Sequence, residues 1–155
     1  MKHKILFTIV LFITGCAAPI YSPPKDAKTA VIEFESQVVI SKTMGNTYTS
    51  VFLFPSTKCD KVFHLGLLEA SKEETKSFQS ILETGKSYVI TFRTPDFRGV
   101  TDQRQNYVSK LITPEEGKFY KFEVFPPHRA LGYEKIGEEL VSTSAIKDTD
   151  KTCRY

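Results

Sequence analysis

Three cysteines, three histidines and three adjacent glutamate pairs are the side chains of this 155-residue chain best suited to chemistry. Cys59 and His64 would supply two metal ligands, but their spacing is not diagnostic and no second pair completes a tetrahedron. His64 alternates with Phe63 and Leu65 in an apolar run, as a strand-surface or satisfied core histidine does. His128 follows Pro126 and Pro127 and has no acidic neighbour. Glu73–Glu74, Glu115–Glu116 and Glu138–Glu139 adjoin turns or charged stretches, where solvated carboxylates belong. No HExxH, phosphate loop, nucleophile elbow or CxxC occurs. A Ser/His/Asp triad drawn from distant segments stays open, since spacing does not test it. The chain therefore reads as a non-enzyme with no catalytic residue, metal site or cofactor assigned.

The third cysteine, Cys16, has a different setting. Lys2 and Lys4 precede a short apolar run, Ile5 to Ile13, which is too short to span a bilayer and is followed by small residues. Ile13-Thr14-Gly15-Cys16 resembles the lipobox of bacterial lipoproteins. That resemblance implies a signal peptide over 1–15, cleavage before Cys16, and fatty acyl chains on the Cys16 sulfur and amine. Two or three chains give lasting membrane attachment where one holds only marginally. In that family an Asp after the cysteine favours inner-membrane retention. Ala17 stands there, so the resemblance implies the outer membrane, on the periplasmic side. Residues 16–28 carry Pro19, Pro23 and Pro24 and read as a flexible tether, with a reach of about 30–35 Å at ~3.1 Å per residue.

With Cys16 lipidated, Cys59 and Cys153 form an even pair in an oxidising compartment, and a disulfide between them would tie the C-terminal end to the domain. Two buried free thiols, or a bond to a partner, are the other readings. Formal net charge is +3 and falls to about +1 once Lys2 and Lys4 leave with the signal, which argues against nucleic-acid binding.

Residues 29–155 suffice for a single domain. Alternating, aromatic and β-branched runs predict strands over 29–42, 48–54, 61–68, 87–94, 106–112 and 118–125, with a last one within 140–146. Residues 69–82 read as a charged loop or short helix leading into a strand, and 128–139 as a long exposed loop. The fold class is all-β, an antiparallel β-sandwich of about seven to eight strands. Gly85-Lys86-Ser87-Tyr88 and Gly117-Lys118-Phe119-Tyr120 each open a strand, and glycine there supplies a positive φ. This echo resembles the turn pattern of small β-sandwich and transthyretin-like envelope lipoproteins; two ordinary hairpin turns give the same echo.

Two loops mix aromatic and arginine side chains, as interaction hot spots do. One carries Phe97, Arg98 and Arg104, and the other His128, Arg129 and Tyr133. If they share an end of the sandwich they make one contact surface. The resulting expectation is a membrane-anchored lipoprotein acting as a binding, accessory or scaffold module, with an envelope protein as its partner. The alternative is a small envelope hydrolase or a periplasmic inhibitor.

Overall fold

The structure, a computed structural model, describes residues 17–37, 47–71, 74–97 and 103–155. Ten strands make two five-stranded sheets. The first sheet has the order β4 (Ser77–Glu83), β1 (Thr29–Ser36), β7 (Phe119–Phe125), β8 (Arg129–Ile136), β9 (Glu139–Val141). The second has the order β10 (Ile146–Asp148), β6 (Gln103–Ile112), β5 (Tyr88–Phe97), β2 (Thr47–Phe54), β3 (Phe63–Ala70). Every pairing is antiparallel except β1 with β7, which run parallel.

Alternation decides which faces meet. Ala30, Ile32 and Phe34 of β1 and Tyr120, Phe122 and Val124 of β7 point inward, while Glu33, Glu35, Lys121 and Glu123 point out. Lys121 reaches Glu35 across the parallel pair at 3.0 Å. The inner faces close over Val51, Leu53, Ile90, Phe92 and Ile112 of the second sheet. Phe34 stacks on Phe122 with ring centroids 5.6 Å apart. Gly85 and Gly117 take φ of 75° and 72° at the turns that open β5 and β7.

A second apolar cluster lies on the outer face of the second sheet, where Phe52, Phe54 and Val89 meet Cys153. The Cys59–Cys153 disulfide holds the C-terminal residues there. Tyr155 packs on Phe52 with centroids 5.2 Å apart, and Arg93 donates to the Tyr155 carbonyl at 2.8 Å.

The strand count exceeds the expected seven to eight, and one segment differs in kind. The expected loop over 128–139 is largely β8, paired with β7 along its length. Its inward positions are Ala130, Gly132 and Glu134, so it shows no large apolar alternation. Gly132 is required because a Cβ would lie 2.7 Å from Ile146 and 2.9 Å from Phe122. Segment 69–82 leads into a strand as expected: it begins with the last residues of β3 and ends in β4, which pairs with β1 along its length. The Pro-rich stretch expected to run free is docked: Pro19 accepts a hydrogen bond from the His64 amide at 2.9 Å, and Tyr21 packs edge-on against Phe63. Ala18 joins the second cluster. The signal segment 1–15 and Cys16 lie outside the described residues.

The registers define two ends. Thr47, Ala70, Phe97, Gln103, Phe125 and Arg129 gather at one, here the far end. The Ser36 hydroxyl ties the sheets there by donating to the Glu69 carbonyl at 2.6 Å. Thr29, Phe54, Phe63, Glu83, Tyr88 and Ile112 gather at the near end, where the N-terminal segment joins the domain.

Candidate functional site: a basic groove beside β8

β9 covers β8 only from Glu134 to Ile136, and β10 covers β6 only from Lys110 to Ile112. Between these short edge strands the sandwich stays open, in a groove of about 340 Å³. Its walls carry Arg129, Leu131 and Tyr133 from β8, Lys110 from β6, Ile146, Lys147 and Asp148 from β10, and Ser142 and Thr143 between the last strands.

Lys110 reaches the groove because of its parity. On β6 it shares the inward parity of Val108 and Ile112, pairing in register with the buried Ile90. An ammonium at an inward position must find a counter-charge or water. It finds Asp148, its register partner on β10, in an ion pair. The two ends differ in setting: the Lys110 side chain is 13% exposed and that of Asp148 92%. The Lys110 hydrogen bond and then its charge hold the Asp148 carboxyl below the ordinary aspartate range.

Arg129 opens β8 at the far end and is exposed, its guanidinium 5.9 Å from the Phe125 ring centroid. It makes no ion pair among the described residues. Deeper in, Thr143 accepts from the Ala145 amide at 3.2 Å, and Glu134 is paired with Lys118 at 2.5 Å.

The structure brings Arg129 and Tyr133 together in the groove. His128 sits beside them, exposed in the β7–β8 turn, with its amide donating to the Phe125 carbonyl at 3.2 Å. Arg104 is exposed on β6 at the same end, in register with Asp96. Phe97 ends β5, in register with Gln103, and its side chain is outside the description, as is Arg98 altogether. The two predicted loops thus share the far end. Cys59 is bonded to Cys153 and offers no thiolate to a metal. His64 lies with its ring 5.3 Å from that of Phe52. Among the described residues no three His, Cys, Asp or Glu side chains converge as ligands.

The sequence reasoning missed Lys110, Lys147, Asp148 and Ser142. For Lys110 a signal existed: a lysine at the same parity as Val108 and Ile112. A smaller cleft of about 290 Å³ lies at the opposite edge, between Ile20–Pro23 and Gln79–Ile81. Comparison with protein-family models and with curated proteins finds no match.

Proposed function

We propose that this chain is a bacterial lipoprotein, anchored through Cys16 to the outer membrane and facing the periplasm, which acts by binding rather than catalysis as an accessory or scaffold module of the envelope. The observation that carries this reading is the separation of ends. Ala18 to Tyr21 dock at the near end, on the second cluster and on β3, whereas the β5–β6 and β7–β8 turns lie at the far end. A lipid at Cys16, two residues before Ala18, would seat the near end close to the bilayer and turn the far end outward. Anchoring confines the domain to a thin layer, where high effective concentration makes weak contacts productive.

The test is site-specific photocrosslinking in the native envelope. A probe at His128 should capture one discrete envelope protein, and the same probe at Lys86, on the near end, should not. Arg129→Ala should reduce the capture without unfolding the domain, and Cys16→Ser should abolish both lipid attachment and capture. Equal capture from both ends, or outer-membrane fractionation of the Cys16→Ser protein as before, would overturn the proposal.

A further inference from the structure

We infer that the groove between β8 and β10 binds an anionic sugar, a sugar phosphate or a uronic acid, with Lys110 and Arg129 as its cations and Asp148 as an internal counter-ion that the ligand displaces. This goes beyond the anchoring proposal and does not depend on it, since the groove lies in the domain itself.

Charge balance is the first argument. Lys110, Arg129 and Lys147 line the groove against a single lining carboxylate, Asp148. The groove therefore carries an unneutralised positive charge, placed where two sheet edges leave it open.

The asymmetry of the Lys110–Asp148 pair is the second. The Lys110 side chain is only 13% exposed and stands at an inward position, so its ammonium gains from an anion facing it. Asp148 is almost fully exposed on a strand of three residues, so its carboxylate returns to water at little cost. An incoming phosphate or carboxylate can take its place on Lys110, and Arg129 can add two parallel N–H donors from its planar fork.

The scaffold follows from the remaining walls. Tyr133 and Ser142 line the groove with hydroxyl-bearing side chains beside Leu131 and Ile146, and the Thr143 hydroxyl in the same wall is held by Glu134 and the Ala145 amide. A volume of about 340 Å³ is at the small end of ligand sites and holds one sugar ring with its anionic substituent. Hydroxyl-lined walls favour a polyol over a fatty acid of the same charge.

The test is titration calorimetry on the full-length protein in detergent, with inorganic phosphate, glucose 6-phosphate, galacturonate and glucose as probes. At least one of glucose 6-phosphate and galacturonate should bind, and which does so identifies the anionic group. Glucose should not bind, and inorganic phosphate should bind more weakly than glucose 6-phosphate. Arg129→Ala should weaken binding about tenfold, the loss of one charge-assisted contact. Lys110→Met, which keeps the length of the buried stem, should abolish it while the thermal midpoint shows that the domain stays folded. Asp148→Asn gives the decisive sign: with the competing carboxylate gone, the anionic sugar should bind several-fold tighter. Weaker binding by a folded Asp148→Asn protein, no binding of either anionic sugar, or binding of glucose as tight as theirs would each overturn the inference. Equal affinity for inorganic phosphate and glucose 6-phosphate would overturn the sugar scaffold.

Discussion

Reducing the Cys59–Cys153 disulfide should destabilise the domain strongly yet leave both sheets standing. The bonded residues are 94 apart in sequence, and a cross-link closing about 100 residues is worth roughly 4.7 kcal/mol in the chain-entropy model. Part of that is returned on release, because Cys59 holds a φ of 57°, a left-handed conformation that costs a non-glycine residue about 1–2 kcal/mol. The expected net loss is roughly 3–4 kcal/mol, or a fall of about 10–15 °C in Tm for a domain of this size. The location of the damage is equally specific. Cys153 belongs to the outer cluster with Phe52, Phe54 and Val89, and neither cysteine belongs to the cluster between the sheets. Amide exchange should therefore accelerate across residues 149–155 and 55–62, while β1 and β7 stay protected. Thermal melts with and without a thiol reductant, paired with exchange measured below the reduced Tm, read both quantities. An unchanged Tm, or simultaneous loss of protection in β1 and β7 under conditions where the oxidised protein is folded, would refute the reasoning.

Two further outcomes follow from buried hydroxyls. Thr49 and Thr94 share a hydrogen bond at 2.7 Å between buried side chains, so Thr94→Val alone strands the Thr49 hydroxyl and should cost about 1–3 kcal/mol. The double Thr49→Val/Thr94→Val protein should lose less than the sum of the single changes by chemical denaturation, and strict additivity would count against the pair. Tyr88 is held protonated, chiefly by burial and next by its hydrogen bond with Tyr21, so its folded-state pKa stands above the ordinary 10.0. Its contribution is complete below that value and is lost as pH rises past it, at up to about 1.4 kcal/mol per pH unit. Tyr88→Phe should flatten the alkaline decline of stability, and an unaltered slope would exclude Tyr88 as its source.

The strands legible in the sequence are those with one buried face. Over Ile32–Glu35 of β1 and Tyr120–Val124 of β7 apolar and charged residues alternate, and the structure buries the apolar parity. The run Val51-Phe52-Leu53-Phe54 is apolar throughout, and all four side chains are buried. That pattern demands cover on both faces, and the second cover is the disulfide-held C-terminal tail, which periodicity in β2 cannot reveal. β8 escaped notice for the converse reason: its inward positions are small or charged because Ile146 and Phe122 already fill the space above Gly132. The parallel partnership of β1 with β7 was equally hidden, since alternation fixes which face is buried and not which strand lies alongside.

For the groove, the sequence supplied Arg129 and Tyr133 through their composition, although both stand on a strand rather than in a loop. What composition missed, parity contains. Lys110 and Glu134 each occupy an inward position, on β6 and β8, and each is charged. Such a residue is tolerable only where the next strand is too short to seal the layer, and β10 and β9 have three residues each. Each is also neutralised from a neighbouring element, Lys110 by Asp148 and Glu134 by Lys118. The two pairs differ in what they leave accessible. The Glu134 side chain is 14% exposed and its lysine 43%, so the carboxylate is the sheltered partner and no anion is drawn to it. At Lys110 the cation is the sheltered partner and its carboxylate lies in water. A charge at inward parity thus marks the edge of each sheet, and its sign separates the edge that merely closes the fold from the edge that can exchange its counter-ion for a ligand.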